Sequence, residues 1–278
     1  MSERFFLFKG CLIPTRLPHL ESSSRFILNA LGVDAPDLPG ATCCVEPIGL
    51  RTMSPDTWLL TVARMLAIAE EADRDVLTLC NGCYLSFQEA VRALEDEERR
   101  REVNDVLRSI GKHYDGPVRV MHMLELVRSQ GSEKLSAKVT RDVSGLSIAA
   151  HSGCHILRPS QAGLVESPFR PRMLHSIGSW LGARMVQGEE WPGCCGGGIA
   201  AVDDKVSLGI LKDVVSRYRE SGANCILTPC PFCFSQFDLR QQEGIPVLYL
   251  SELIAYAWGA PSSVLGWKYH RIPPPLPI

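Results

Sequence analysis

The chain has 278 residues, 45% hydrophobic and 22% charged, with a formal net charge of −2. That is the composition of an ordinary soluble globular protein, long enough for two modest cores, and its near-neutral charge offers nothing to nucleic acid or an acidic membrane surface. The apolar stretch from Trp58 to Ala69 is interrupted by Arg64 and too short to span a bilayer, and residues 1–9 hold too short an apolar core for a secretory signal, so a cytoplasmic protein is expected.

Along the chain, the apolar run Phe5 to Phe8 reads as a short strand ending at Gly10-Cys11. A helix over roughly Glu21 to Ala30 follows, closed by Gly32. A second helix has a marked start: Ser54 to cap, Pro55 at the first helical position and Asp56 in the first turn. Its residues Trp58, Val62, Met65, Leu66 and Ala69 recur at helical spacing, so one face is buried. The strand Asp75 to Leu79 then leads into a CxxC turn at Cys80 and Cys83. The run from Glu95 to Glu102 reads as a solvated helix face with i,i+4 pairs.

The polar stretch from Ser129 to Arg141 marks a junction, dividing the chain into residues 1–135 and 136–278. The series then repeats: a strand from Leu146 to Ala150 ending at Gly153-Cys154, and a helix over roughly Pro171 to Leu181 closed by Gly182. A helix capped by Asp203 runs to about Glu220, and a strand from Asn224 to Thr228 leads into a second CxxC at Cys230 and Cys233. The Pro-rich tail from Arg271 to Ile278 is expected to be extended. Strands alternating with helices predict an α/β fold of two pseudo-symmetric domains with mostly parallel sheets. The cysteine loops then fall at the carboxyl ends of the strands, where ligands of such sheets collect.

The repeat is clearest in the cysteines. Ten of the eleven form one pattern written twice: Cys11, Cys43-Cys44, Cys80 and Cys83, then Cys154, Cys194-Cys195, Cys230 and Cys233. The gaps are 31 and 35 residues in the first copy and 39 and 34 in the second, similar enough to imply two equivalent sites. In a reducing compartment such a set points to metal or redox chemistry, and an odd count with no secretory signal argues against a disulfide framework. Five soft sulfur donors from three loops suit an iron–sulfur cluster, with zinc the runner-up because zinc sites commonly use CxxC. A cubane needs only four thiolates, so either one sulfur bridges two irons in a non-cubane cluster or the fifth is a free thiol. Gly193 and Gly196 to Gly198 flank the second pair and let backbone amides approach sulfur. Cys225, outside the repeat, reads as buried packing.

The duplicated C…CC…CxxC resembles the cysteine-rich repeats of the B subunit of heterodisulfide reductase. The local motifs that carry the likeness are Gly10-Cys11-Leu12-Ile13-Pro14, Cys80-Asn81-Gly82-Cys83-Tyr84, His151-Ser152-Gly153-Cys154-His155 and Cys230-Pro231-Phe232-Cys233. The resemblance covers nearly the whole chain and implies a non-cubane [4Fe–4S] cluster on each set of five cysteines. It further implies reduction of the mixed disulfide of coenzyme M and coenzyme B to two thiols. Electrons would come from a C-type iron–sulfur subunit, fed by an A-type flavin subunit. The sequence departs at Val45-Glu46-Pro47 after the first pair and at the compact Gly196-Gly197-Gly198-Ile199 after the second, which puts the particular disulfide in doubt.

Two clusters facing one cleft account for the duplication, since disulfide reduction takes two electrons. His155, beside Cys154, is the candidate proton donor, with His151 given a structural role. Lys9, Arg16, Arg51 and Arg158 lie near cysteine loops and are candidates to hold an anionic substrate. No Gly-rich dinucleotide fingerprint follows a strand, so no flavin or nicotinamide site is expected in this chain. Two alternatives stay open: a sulfur-transforming complex acting on another disulfide or sulfane substrate, and a non-catalytic electron relay.

Overall fold

The computed structural model describes residues 4–45, 49–160, 166–186, 193–241 and 244–277. Glu46 and Pro47 of the first departure lie outside them. Two parallel sheets organise the chain. In the first half, β1 (Phe5–Phe8) leads through α1 (Leu12–Arg16), α2 (Pro18–Leu31), α3 (Leu50–Met53) and α4 (Pro55–Glu71) to β2 (Asp75–Thr78). Then come α5 (Asn81–Ala93), α6 (Glu97–Leu107), β3 (Val120–His122), α7 (Met123–Ser129) and α8 (Gly131–Ser136). The second half has β4 (Ser147–Ala150), α9 (Met173–Trp180), β5 (Arg184–Met185), α10 (Asp204–Glu220) and β6 (Cys225–Thr228). It closes with α11 (Pro231–Arg240), β7 (Val247–Tyr249), α12 (Leu250–Ala257) and α13 (Ser262–Leu265).

Strand order is β1-β2-β3 in one sheet and β5-β4-β6-β7 in the other, every pair parallel. The register sets Phe5 beside Asp75 and Ile148 beside Cys225. The central strands are buried at their middles and Cys225–Thr228 throughout, because helices cover both faces of a parallel sheet. Trp58, Val62, Met65, Leu66 and Ala69 all face the core, as their spacing predicts. Each such large apolar side chain contributes about 1.5–3 kcal/mol on burial.

Local chemistry departs from expectation in places. Helix α2 begins at Pro18, three residues before Glu21, because proline suits the first helical turn. Ser54 occupies the N-cap of α4, but its hydroxyl donates to Thr57 Oγ1 at 2.7 Å and leaves the backbone uncapped. Asp203 caps α10 through Val206 N–H at 3.0 Å, as expected. In the acidic and basic run, Arg99 pairs with Glu102 at i,i+3 and with Asp56 of α4, replacing the i,i+4 ladder. The two CxxC motifs are the first turns of α5 and α11, with Cys80 and Cys230 at the N-caps. The tail beyond Trp267–Tyr269 is a series of bends rather than an extended run.

The halves interlock reciprocally. Helix α12 of the second half packs on α2 of the first, and α7 of the first packs on α9 of the second. Ser23 and Ser24 of α2 hydrogen-bond Ser251 of α12 at 2.7 and 3.1 Å, and Arg128 of α7 stacks 4.4 Å over the Trp180 ring of α9. The strands β3 and β7 are equivalent: each ends in an N-cap residue, His122 or Tyr249, followed at the third helical position by Glu125 or Glu252 in a capping box.

Candidate metal centre and adjoining cleft

The carboxyl ends of β1 and β2 deliver Cys11, Cys80 and Cys83, and those of β4 and β6 deliver Cys154, Cys230 and Cys233. The cysteine pairs close each group from the loops before α3 and α10. Cys11 contacts Cys43, Cys43 contacts Cys44, Cys44 Sγ lies 3.3 Å from Cys83 Sγ, and Cys83 contacts Cys80. The second half repeats the path from Cys154 through Cys194, Cys195 and Cys233 to Cys230. The two paths join where Cys80 contacts Cys230. All ten sulfurs of the repeat thus form one unbroken series, symmetric about that contact.

Such crowding resists ionisation. The contact with Cys43, followed by burial, pushes Cys44 up to about 12, and the contact with Cys194 does the same to Cys195. Cys11, Cys80, Cys83, Cys154 and Cys233 are also raised, each first by a hydrogen bond with a neighbouring cysteine. Cys194 goes the other way: Cys154 and Cys195 hold it down to about 2, and Cys233 and Cys80 likewise lower Cys230. Five thiolates crowded together, with Cys44 and Cys83 of the first group and Cys195, Cys230 and Cys233 of the second buried, need bound cations to balance them, which is the condition a metal cluster meets.

The surroundings fit that donor set. Gly196 N–H points to Cys194 Sγ at 3.3 Å and Gly197 N–H to Cys195 Sγ at 3.4 Å, placing partial positive charge against sulfur. Gly196 has φ 82°, and a Cβ there would lie 2.6 Å from the Ser207 carbonyl oxygen. At the equivalent place after Cys44 the first half has Val45, at φ 51°, a left-handed conformation that a β-branched residue adopts only under strain. Asn81, inside the first CxxC, donates to Ser152 O at 2.7 Å and so ties the two groups together.

Two residues gain importance beyond the sequence reading. His151 is fully buried, its Nδ1 2.8 Å from Tyr218 Oη, while Nε2 has no hydrogen-bond partner. A ring nitrogen lies within 4.8 Å of the Cys195 and Cys233 sulfurs, so the imidazole belongs to the second group rather than to the scaffold alone. Burial holds it down to about 4, hence neutral. The signal was its place three residues before Cys154, where the first half has Phe8. Tyr249 reaches from β7 across the junction and donates to Leu79 O, beside Cys80.

A cavity of about 680 Å³ opens beside these groups, lined by Arg51 and Leu85 from the first half and by His155, Arg158, Ser160 and Phe169 from the second. It brings together three sequence candidates: His155, Arg51 and Arg158. Arg51 is held by an ion pair with Glu89 and lies 5.3 Å over the Trp58 ring. The other two candidates are elsewhere. Lys9 pairs with Glu21 at 3.1 Å and Asp37 at 2.9 Å, and Arg16 sits exposed at the end of α1.

Fold and site define a duplicated α/β protein whose paired cysteine groups are built for a thiophilic metal centre. The family called Cysteine-rich domain matches residues 5–88 and 148–238. The B subunit of the ferredoxin/F(420)H(2)-dependent CoB-CoM heterodisulfide reductase of Methanosarcina acetivorans is 35% identical over 96% of this chain and 93% of its own length. The B subunit of the ferredoxin:CoB-CoM heterodisulfide reductase of Methanosarcina mazei is 34% identical over the same shares. The "8-methylmenaquinol:fumarate reductase membrane anchor subunit" of Wolinella succinogenes is 31% identical over 98% of both chains. A hypothetical protein from Helicobacter pylori shares the fold, with TM-score 0.77 at 17% identity, over 98% of this chain and 52% of that one. The chain therefore belongs to the cysteine-rich-domain family and, within it, to the family of heterodisulfide reductase B subunits, and is an oxidoreductase subunit. Among the described residues no helix is long and apolar enough to cross a membrane.

Proposed function

We propose that this chain is the catalytic iron–sulfur subunit of a complex that reduces a heterodisulfide of the coenzyme M–coenzyme B type to two thiols. Each five-cysteine group holds one non-cubane [4Fe–4S] cluster. The observation that carries the reading is the meeting of the two groups at Cys80 and Cys230 beside a cleft that contains His155, Arg51 and Arg158. The overall change is one disulfide plus two electrons and two protons giving two thiols.

Bound clusters would supply the electrons; the chain's own residues do the rest. Arg51, oriented by Glu89 and Trp58, and Arg158 hold the anionic ends of the disulfide. His155 delivers a proton to a departing sulfur. An iron–sulfur partner subunit, itself supplied by a flavin subunit, would provide those electrons, and the complex works in the cytoplasm. The division of labour falls between residues 1–135 and 136–278, one cluster to each.

A second reading, electron relay without disulfide chemistry, is favoured by one observation: the 31% identical relative named as part of a quinol:fumarate reductase. Turnover of a mixed coenzyme disulfide by the cluster-loaded protein with a reduced viologen dye separates the two. Stoichiometric formation of both thiols supports catalysis. Cluster reduction and reoxidation without thiol formation identifies a relay.

A further inference from the structure

Away from the cysteines, three side chains from three parts of the chain meet in the interior: His19 of α2, Glu252 of α12 and His270 beyond α13. His19 is 4% exposed, Glu252 0% and His270 7%. One donor atom from each lies within 4.8 Å of the other two, with His270 Nε2 2.8 Å and His19 Nε2 3.9 Å from the same oxygen, Glu252 Oε1. Both ring nitrogens of His19 are buried without a hydrogen-bond partner. Unpaired polar atoms at this depth are rare in folded chains and call for an explanation.

We infer that His19, Glu252 and His270 form a second metal site, for a divalent cation of borderline softness such as zinc, that fastens the C-terminal segment and α12 to α2. Two imidazoles and one carboxylate are the donors such an ion prefers, at bond lengths of about 2.0–2.2 Å. Binding draws the His19 ring a fraction of an ångström toward Glu252 and gives an unpaired nitrogen its partner.

The surrounding structure holds the donors in place. Glu252 Oε2 accepts the Tyr249 N–H at 2.9 Å, which turns Oε1 toward the two imidazoles, where His270 Nε2 already meets it at 2.8 Å. Buried Asp238 accepts the N–H of Arg271 at 3.1 Å through either oxygen and so fixes the backbone next to His270. The His19 ring stacks on Tyr269, and His270 meets Phe234 edge-on at 5.1 Å, an apolar wall that keeps water from competing. Gly266, at φ 65°, lets the chain pass so close that a Cβ there would lie 2.1 Å from His19 Cβ. Among the described residues the equivalent Glu125, which caps α7 in the first half, gathers no such pair of histidines, so the site is no by-product of the repeat.

The test uses the full chain with its cysteine groups loaded anaerobically, treated with a chelator and then titrated with zinc alone. One zinc per chain is expected, its X-ray absorption fitting nitrogen and oxygen at about 2.0–2.1 Å with no sulfur at about 2.3 Å. Unfolding should shift upward with zinc in the wild type. His19→Gln, which keeps shape and packing, and His270→Gln should lose this zinc and the shift while iron and sulfide per chain stay unchanged. A sulfur shell around the zinc, zinc uptake equal in wild type and both variants, or no uptake at all would overturn the inference. Because iron is counted separately, these outcomes stand apart from whatever the ten cysteines hold.

Discussion

The Cys80 and Cys230 thiols interact across the junction of the two halves, each at the N-cap of the helix that carries its own CxxC. Two metal centres, one on each group as proposed, would therefore be neighbours, not the ends of a long wire. Asn81 and Tyr249, which cross the junction to Ser152 O and Leu79 O, hold that contact in register. The reciprocal packing of α2 on α12 and of α7 on α9 does the same at the scale of the fold.

The groups are not equally relaxed. Val45 at φ 51° stands where the second group has Gly196 at φ 82°. A residue held in such a region costs on the order of 1–3 kcal/mol, against about 0.5–1 kcal/mol for the added freedom of glycine. Val45→Gly should therefore stabilise the chain by about 1 kcal/mol, read as a rise in the denaturant midpoint at unchanged slope. Gly196→Val brings a Cβ to 2.6 Å from Ser207 O, should destabilise by about 2 kcal/mol or more, and should empty the second group while sparing the first. Metal analysis on the two variants checks the asymmetry.

Residues of the cleft should separate by kinetic parameter. Arg158→Ala and Arg51→Ala each remove a charge-assisted contact, so KM for an anionic disulfide should rise about 10–100-fold while kcat changes little. His155→Gln should lower kcat by about 100-fold or more with iron content intact. Lys9→Ala, which breaks the pairs with Glu21 and Asp37, should leave both parameters alone. Steady-state kinetics with the viologen assay distinguishes these patterns, and a kcat untouched in His155→Gln removes that residue from the chemistry.

Acid should weaken the fold through His122. Burial holds this imidazole down to about 4, below its usual value, so the folded chain refuses a proton that the unfolded chain accepts. Stability is then full above about pH 6.5 and falls as pH drops toward 4, by on the order of 3 kcal/mol. His122→Asn retains an oxygen to cap α7 at Leu124 N–H, which His122 Nδ1 accepts at 3.0 Å, but has nothing to titrate. Its unfolding free energy should vary less across that window than the wild type's.

Much of this was legible in the residues. The strands Phe5–Phe8 and Asp75–Thr78 declare themselves by short apolar runs that end at glycine or cysteine, and α4 by its helical spacing. The duplicated cysteines fix which residues belong together. Val120–His122 and Val247–Tyr249 are too short to show in the sequence, because three residues carry too little periodicity, yet they place His122 and Tyr249 at the junction. The Cys80–Cys230 contact and the His19, Glu252 and His270 cluster were not readable at all. They follow from packing between segments up to about two hundred and fifty residues apart, to which local spacing is blind. His151 was readable only by laying one half over the other.

The most direct test of two adjoining clusters acting on a disulfide is iron and acid-labile sulfide per anaerobically purified chain, with paramagnetic resonance of the oxidised protein before and after the coenzyme M–coenzyme B disulfide is added. About eight irons and eight sulfides per chain, the content of two [4Fe–4S] clusters, with a new paramagnetic signal on adding the disulfide or its thiols, is the expected result. About four irons, or zinc on the cysteines, with no response to either, would contradict the account.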